Sequence, residues 1–306
     1  MTEQPTLICI VGPTAIGKTS LSIDLAERFS TEIISADSRQ FYKEMSIGTA
    51  VPTPYELSRA KHHFIQHISI ENEYNVGKFE EDTLTLLNRI FETNPTAILV
   101  GGSGLYQKAV TEGLDSFPEI PVDIRKKYNE ILKNTGIKAL QELLRSKDPK
   151  AYASIEIQNP RRLTRALEVV ETTGKSFTYF QNQPKKARQF KVIKIGLDAP
   201  REIIYERIEK RVDAMIANGL VEEARRLHSY QQLNALQTVG YKELFAFFEN
   251  RITLAEAISE IKKNTRRFAK RQLTWFKKDP DIEWFDYETP IEVILKFINT
   301  KRPNAS

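Results

Sequence analysis

The chain has 306 residues, of which 41% are hydrophobic and 28% charged, a composition typical of a globular protein with one large or two moderate domains. Lys and Arg total 45 against 40 acidic residues, so the net charge of +5 indicates a polyanionic partner only if the cations are clustered. The single cysteine excludes a disulfide framework and a cysteine-based zinc site, and no apolar run reaches the length of a membrane span.

A glycine-rich loop near the N-terminus is the first segment with a clear chemical meaning. The apolar, β-branched run Thr6–Val11 before it predicts a strand buried on both faces, and Leu21, Leu25 and Phe29 after it recur at helical spacing. The loop has a glycine, four residues and then Gly-Lys-Thr, which is the phosphate-loop pattern. Its residues are Gly12, Pro13, Thr14, Ala15, Ile16, Gly17, Lys18 and Thr19.

A strand, a glycine loop and a helix in this order place backbone N–H groups and a helix N-terminus around one anion. Lys18 would add a positive charge at the distal phosphate, and the Thr19 hydroxyl would reach a Mg²⁺ ion. Taken alone, the loop indicates nucleotide binding, most often of ATP. We predict an α/β fold of the P-loop NTPase type with a parallel sheet at its core.

A carboxylate follows the second predicted strand, which covers residues 32–36 and ends on Asp37, Ser38, Arg39 and Gln40. Because the carboxyl ends of parallel strands line one crevice, Asp37 should face the phosphate loop. It could act there as a general base, but Asp-Ser at a strand end is also a common turn-forming pair. Position alone leaves both interpretations open.

Three histidines, His62, His63 and His67, come next in the chain. Because no further ligand set accompanies them, we interpret them as polar residues around a strand at 64–68 and not as a metal site. A crossover helix is then predicted at 76–91. The buried strand at 97–100 runs into the glycines around Ser103, where the backbone could approach a ligand closely or form a tight turn.

Between the strand at 97–100 and the next one at 191–197, only helices are predicted, at 124–132, 137–144, 151–155 and 161–171. An all-helical segment between two parallel strands indicates an insertion domain. We place this domain at residues 117–187 and the α/β core at residues 1–116 and 188–306.

Arginines are concentrated at two places beyond the core strands. Arg161, Arg162 and Arg165 lie at the start of a helix, where the helix dipole does not favour cations, so they should bind an external anion or pair with Glu168 and neighbouring acids. In the long helix that begins at residue 201, Arg207 and Arg211 lie four residues apart. They would clamp phosphates over the crevice or remain solvated.

The segment 258–278 has the clearest charge pattern in the chain. At the helical period Ile261, Phe268, Trp275 and Phe276 fall on one side, which we expect to pack on the core. A set of cations covers the other side: Lys262, Lys263, Arg266, Arg267, Lys270 and Arg271. A solvated face is a common explanation, but this density of cations favours contact with a nucleic-acid backbone over contact with a membrane surface.

Together these segments resemble the tRNA dimethylallyltransferases, which prenylate the adenine 3′-adjacent to the anticodon. The resemblance begins with Gly-Pro-Thr-Ala-x-Gly-Lys-Thr and Ile-Ile-Ser-Ala-Asp-Ser-Arg-Gln-x-Tyr, and further blocks follow in the family's order over nearly the whole chain. These blocks are residues 47–50, 61–63, 101–106, 159–168, 211–215, 239–243 and 270–276. The phosphate loop alone is shared by a vast superfamily, whereas the ordered set is highly specific.

The resemblance implies that the phosphate loop and Arg211 hold the diphosphate of dimethylallyl diphosphate, which is the leaving group. It implies Asp37 as the general base for the adenine N6, Lys18 and Thr19 as further catalytic residues, and Thr19 as a ligand of Mg²⁺. The implied tRNA-binding residues are Asp37, Ser38, Arg39, Gln40, Ser103, Arg125, Arg161, Arg162, Leu163, Thr164, Arg165, Gly240, Tyr241, Lys242, Arg266, Arg267, Lys270 and Arg271. We expect a cytoplasmic monomer that binds tRNA and has no membrane partner.

Two other functions stay open at this stage. A P-loop kinase of a small molecule would use the loop and Asp37 but would leave the helical insertion and the basic helix unexplained. A dimethylallyltransferase acting on free adenine nucleotide would share the catalytic core. A switch GTPase is excluded by the lack of Asn-Lys-x-Asp, and a motor ATPase by the lack of an acid at the strand end Val100-Gly101-Gly102.

Overall fold

The computed structural model describes residues 4–181, 183 and 187–302, and these residues form one six-stranded parallel sheet and a larger number of helices. The strands are β1 (Thr6–Val11), β2 (Ile33–Ser35), β3 (His62–His63), β4 (Thr96–Val100), β5 (Lys191–Asp198) and β6 (Ile282–Asp286). Their spatial order is β3-β2-β4-β1-β5-β6, with every pair of neighbours parallel. This order confirms the predicted α/β fold.

The helices lie between and after these strands in the sequence. In chain order they are α1 (Lys18–Phe29), α2 (Pro54–Arg59), α3 (Val76–Phe91), α4 (Gly104–Glu112), α5 (Val122–Thr135), α6 (Ile137–Lys147), α7 (Pro149–Ser154), α8 (Pro160–Thr173), α9 (Phe177–Gln181), α10 (Arg201–Ala217), α11 (Leu220–Leu227), α12 (Tyr241–Phe248), α13 (Leu254–Phe276) and α14 (Ile291–Lys301). No helix within the described ranges is both long enough and apolar enough to cross a bilayer.

The central strand β1 is buried along its whole length between β4 and β5. Its β-branched and leucine side chains fill the space on both sheet faces, since Leu7, Ile8 and Ile10 have no exposed surface. The carboxyl ends of β1, β2 and β4 consequently lie side by side. The loops that follow these three strands meet at one edge of the sheet.

The glycines of the phosphate loop are required by the backbone. Gly12 and Gly17 adopt φ values of +139° and +112°, which side-chain-bearing residues rarely adopt. A Cβ atom on Gly12 would also lie 2.5 Å from the carbonyl oxygen of Leu197. These two glycines let the chain turn from β1 into α1, which begins at Lys18.

The chain divides into two compact units, residues 1–111 with 188–306, and residues 112–187. The predicted domain limits of 117 and 187 enclose the same helices, α5 to α9. The second unit has its own hydrophobic core, in which Tyr128, Leu140 and Leu163 are completely buried. Its connection to the sheet is through the chain segments that follow β4 and precede β5.

The predicted strand at 64–68 is wrong. Strand β3 covers only His62–His63, and Phe64 and Gln66 beyond it adopt φ values of +61° and +47°, in the left-handed region, which an extended strand excludes. Ile68 makes an isolated parallel bridge to Tyr42. The edge of the sheet therefore ends in an irregular segment that packs its aromatic rings inward.

Candidate functional site

The loops after β1, β2 and β4 open into a cavity of about 810 Å³. The phosphate loop forms one wall, the segment that begins at Asp37 forms another, and residues of α10 and α13 complete the lining. The structure thus brings together Lys18, Thr19, Asp37 and Arg211, four residues that the sequence analysis assigned to one site.

Lys18 lies half-buried at the start of α1, and its Nζ donates a hydrogen bond to the carbonyl oxygen of Pro13 at 2.6 Å. Burial and the positive charge of Arg211 lower the pKa of Lys18 to about 7, against the opposing effect of Asp37. An anion bound beside this side chain would favour its charged form. Lys18 therefore has the electrostatic environment of a ligand-binding cation.

Asp37 is the carboxylate that faces these cations. Its Oδ1 accepts a hydrogen bond from the backbone N–H of Arg39 at 3.1 Å, so the turn-forming interpretation of Asp37 is also correct. Burial raises the pKa of Asp37, although the Arg39 N–H bond and the charges of Lys18, Arg39 and Arg211 oppose the shift. The raised pKa makes this carboxylate a better proton acceptor than an exposed aspartate.

The two arginines of α10 differ in what they contact. Arg207 donates from Nε to the carbonyl oxygen of Ala15 at 2.8 Å, and its guanidinium lies 5.3 Å from the ring centre of Tyr287. Arg211 is half-buried, and its Nη1 lies 3.4 Å from Thr14 Oγ1. Burial lowers the pKa of Arg211. Both arginines line the cavity, and Arg207 in addition supports the backbone of the phosphate loop.

The donor set at Thr19 suits a magnesium ion bound together with a ligand. Among the residues that the structure describes, no group of three or more His, Cys, Asp or Glu side chains could hold a metal by itself. Thr19 lines the cavity beside the phosphate loop. Mg²⁺ commonly takes one or two protein oxygens and completes its shell with phosphates and water, so the Thr19 hydroxyl fits the ion.

Ser38, Arg39 and Gln40 hold the walls of the cavity together. Ser38 and Ser103 lie with their hydroxyl oxygens 3.2 Å apart, which joins the ends of β2 and β4. Gln40 Nε2 donates to the carbonyl oxygens of Thr49 and Ala50. Arg39 Nη1 donates to the carbonyl oxygens of Asn234 and Ala235. All of Ser38, Arg39, Gln40 and Ser103 line the cavity, and the serine pair places two hydroxyls beside each other there.

Glu223 organises a neighbouring loop and was missed by the sequence analysis. Its carboxylate is 4% exposed and accepts hydrogen bonds from the backbone N–H groups of residues 46, 47 and 48 and from the Tyr241 hydroxyl. The sequence does hold a signal for this role, since Glu223 is an acid on the apolar face of α11, between Leu220 and Leu227. Glu223 fixes the loop that carries Gly48 to the rim of the cavity.

The side chains of three predicted tRNA contacts, Tyr241, Leu163 and Thr164, are buried. Tyr241 has no exposed surface and bonds to Glu223, and burial raises its pKa. Leu163 packs in the core of the second unit. Thr164 is also buried, with its hydroxyl bonded to the carbonyl oxygen of Pro160. These residues support the surfaces that carry their neighbours.

The cations of α13 divide into paired and available groups. Lys262 pairs with Asp213 at 2.6 Å, Lys263 pairs with Glu260, and Arg266 pairs with Glu209. Acids of α10 and of α13 itself therefore engage these three cations, while the contact of this helix with an RNA backbone stays a prediction. The remaining cations are Arg267, Lys270 and Arg271, and Arg271 also lines the cavity.

Phe268 and Trp275 do not pack in the core as predicted. They are 40% and 44% exposed and line the cavity, whereas Ile261 and Phe276 on the same helix are buried. The apolar stripe of α13 extends from the core across the opening of the cavity, which helical periodicity alone cannot reveal. Its two rings form an aromatic surface there.

The other predicted tRNA contacts lie on two surfaces. Gly240 and Lys242 line the cavity. In the second unit Arg125, Arg161 and Arg162 are exposed. Arg165 stacks 5.3 Å from the ring centre of Phe117 and lies 3.5 Å from Glu168, so the predicted pairing with that acid is present. The exposed arginines give this unit a cationic surface of its own.

Comparisons with known proteins agree with this architecture. The family model described as IPP transferase matches residues 40–279. A tRNA dimethylallyltransferase from Christiangramia forsetii is 59% identical over 295 residues, which cover 96% of this chain and 98% of the relative. One from Flavobacterium psychrophilum is 54% identical over 301 residues, which cover 96% of this chain and 98% of the relative.

Solved structures show the same likeness. The full-length tRNA isopentenylpyrophosphate transferase from Bacillus halodurans is 36% identical with a TM-score of 0.71, covering 96% of this chain and 94% of that one. A eukaryotic dimethylallyltransferase acting on tRNA is 25% identical with a TM-score of 0.84, covering 99% of this chain and 81% of that one.

Proposed function

The chain belongs to the IPP transferase family, whose members include the tRNA dimethylallyltransferases, and from this premise we propose that it prenylates tRNA. The proposed reaction transfers a dimethylallyl group from dimethylallyl diphosphate to the N6 of the adenine 3′-adjacent to the anticodon. The observation that carries the proposal is the placement of Asp37 opposite Lys18 and Arg211 in one cavity beside the phosphate loop.

The phosphate loop, Lys18 and Arg211 would bind the diphosphate of the donor. As the bond between the prenyl carbon and the diphosphate oxygen breaks, the electron pair stays with the oxygen and negative charge grows there. Fixed N–H dipoles and two cations beside that oxygen stabilise the departing group without reorganising. Lys18, with a pKa of about 7 before binding, would take up a proton as the anion arrives.

Thr19 would hold Mg²⁺ together with the bound diphosphate. When bound, the ion supplies additional positive charge to the leaving group. The Thr19 hydroxyl itself can donate to a diphosphate oxygen in the same position. Thr19 is therefore assigned to the leaving group and not to the adenine.

Asp37 would serve as the general base. The adenine N6 is a weak nucleophile because its lone pair is delocalised into the ring, so removal of a proton as the C–N bond forms assists the reaction. Oδ1 of Asp37 is engaged by the Arg39 N–H, while Oδ2 accepts no hydrogen bond from any residue the structure describes. Oδ2 is accordingly the atom that receives the proton.

The adenine must leave its stack to reach Asp37, at a cost of a few kcal/mol that other contacts have to offset. The Ser38 and Ser103 hydroxyls can read the edge of the extruded base, and the Phe268 and Trp275 rings offer surfaces for stacking. Arg267, Lys270 and Arg271 would contact the RNA backbone, and the exposed arginines of the second unit would add further phosphate contacts. We place the proposed enzyme in the cytoplasm as a monomer.

The test is incubation of unmodified tRNA with labelled dimethylallyl diphosphate and Mg²⁺. We expect label in the RNA fraction, and its absence contradicts the proposal. Parallel reactions distinguish the alternatives. Label in free AMP in place of tRNA indicates an adenylate dimethylallyltransferase, and ATP consumption without the prenyl donor indicates a kinase.

A further inference from the structure

Gln272 is a buried glutamine of α13 whose side-chain amide joins two loops of the cavity. Its Oε1 accepts a hydrogen bond from the Thr14 backbone N–H at 2.9 Å, and its Nε2 donates to the Gly102 carbonyl oxygen at 3.0 Å. The residue is only 5% exposed. The amide thus ties the first part of the phosphate loop to the turn after β4.

This bond determines which loop N–H groups are available to a ligand. The Thr14 N–H points at Gln272, so a diphosphate could use it only by breaking that bond. Arg207 and Lys18 hold the neighbouring carbonyl oxygens of Ala15 and Pro13. The first half of the loop is thus fixed by protein groups, and the N–H groups at the start of α1 remain for the anion.

We propose that Gln272 is a positioning residue that sets the shape of the phosphate loop for the donor diphosphate. The inference rests on the proposed function of that loop. This role also explains why the partner of the Thr14 N–H is a residue of α13. The same helix presents Phe268, Arg271 and Trp275 to the cavity on the acceptor side, so one rigid element places the donor loop and the acceptor surface in a fixed relation.

Gly102 supports this assignment independently. A Cβ atom at this position would lie 2.1 Å from Gln272 Nε2, a contact that no alanine can make without moving the amide. The φ of Gly102 lies outside the left-handed region, so the backbone itself would accept alanine. The glycine is needed to make room for Gln272.

The chain offers a matched control in Gln107. This glutamine of α4 is 4% exposed, and its Nε2 donates to the carbonyl oxygens of Ile10 and Gly101. It is therefore a buried amide at the same edge of the sheet that makes no contact with the phosphate loop. Loss of either amide leaves buried polar groups unsatisfied and should lower Tm similarly.

The experiment measures the affinity of the full chain for inorganic pyrophosphate with Mg²⁺ by calorimetry. Gln272→Met should weaken pyrophosphate binding about tenfold, while tRNA affinity changes less than about twofold. Gly102→Ala should show the same pattern because it displaces the amide. Gln107→Met should leave pyrophosphate affinity within about twofold of the wild type. Unchanged pyrophosphate affinity in Gln272→Met, or equal loss in Gln107→Met, overturns the proposal.

Hydrogen exchange of the wild-type protein gives a test that no variant's folding can confound. The Thr14 amide should be protected before pyrophosphate is added and no better protected afterwards, whereas amides at the start of α1 should gain protection. Fast exchange of Thr14 in the free protein, followed by protection with pyrophosphate, overturns the proposal. If the wild type binds pyrophosphate but transfers no prenyl group to tRNA, the proposed function fails while these measurements still decide the role of Gln272.

Discussion

Lys18 and Arg211 lie half-buried beside the phosphate loop, and neither forms an ion pair within the described part of the chain, whereas Lys262 and Arg266 of α13 are each paired with an acid of α10. In the sequence these residues look alike, as cations on helices. In the structure the first two face a cavity that is also lined by the carboxylates of Asp37 and Glu56, and burial lowers the pKa of both cations.

The difference shows where the protein has prepared charge for a ligand. A buried cation without a partner is costly to maintain and becomes favourable when an anion binds beside it. An exposed ion pair contributes at most about 1 kcal/mol and leaves little charge for a polyanion. Available charge is therefore identified by burial and by partners, and a count of Lys and Arg cannot identify it.

Removal of the Asp37 carboxylate from the cavity should have the largest effect on the rate of prenyl transfer. Asp37→Asn should lower the rate of prenyl transfer by about 10²- to 10⁴-fold because the proton of N6 loses its acceptor. Pyrophosphate affinity should stay equal or increase, since the negative charge that acts on both Lys18 and Arg211 is gone. Single-turnover kinetics and calorimetry measure the two quantities. Transfer at the wild-type rate would remove Asp37 from the mechanism.

Removal of one cation from each region tests the comparison directly. Arg211→Met should weaken pyrophosphate binding by about 10²-fold because a desolvated charge contact is lost. Lys262→Met, on the neighbouring helix, should change it by less than about twofold, since its charge is already engaged by Asp213. Equal effects of the two substitutions in calorimetry would show that the two regions are not electrostatically distinct.

The pKa of Lys18 predicts a pH dependence. Bound diphosphate favours the charged lysine and raises its pKa above the value of about 7 in the free protein. As far as it depends on Lys18, the affinity for the donor diphosphate should be constant below pH 7, where the lysine is already charged in the free protein. Above pH 7 this affinity should fall by up to about tenfold per pH unit, because the free lysine loses its proton. Calorimetry between about pH 6 and about pH 9 measures this. Lys18→Met is the control, because its pH profile contains the ionisation of the diphosphate but not that of the lysine. An identical pH profile in both proteins contradicts the prediction.

The smallest effect is expected on the α13 side, in the salt dependence of tRNA binding. Lys270→Gln should reduce the slope of log affinity against log salt by about 0.7 to 0.9, the contribution of one phosphate contact. Lys263→Gln should leave the slope unchanged, because Lys263 is paired with Glu260. Filter binding over a salt series measures both slopes. A larger reduction for Lys263→Gln would place the RNA on the paired cations.

The sequence predicted those parts of the molecule that depend on local patterns. The apolar run of β1, the glycine spacing of the phosphate loop and the rule for parallel strand ends together placed Asp37 beside Lys18. The ordered motifs also predicted the family, which the comparisons confirm. Each of these inferences needs only neighbouring residues or a topological rule.

The remaining features depend on contacts between distant parts of the chain. Glu209 and Asp213 on α10 neutralise cations of α13, and no periodicity predicts that pairing. The hydrogen bond from the buried Tyr241 hydroxyl to Glu223 is likewise not predicted by periodicity. The side-chain types at residues 64–68 favour a strand, but the left-handed backbone at Phe64 and Gln66 ends the strand before this segment.

The central claim is that the cavity holds diphosphate as a leaving group while Asp37 receives the N6 proton. The most direct measurement follows one reaction in two ways, by mass spectrometry of the nucleosides from digested tRNA and by release of pyrophosphate. We predict one dimethylallyl group on the N6 of the adenine 3′-adjacent to the anticodon for each pyrophosphate released, with both lost together in Asp37→Asn. Prenyl groups on another atom, or release of inorganic phosphate in place of pyrophosphate, would contradict it.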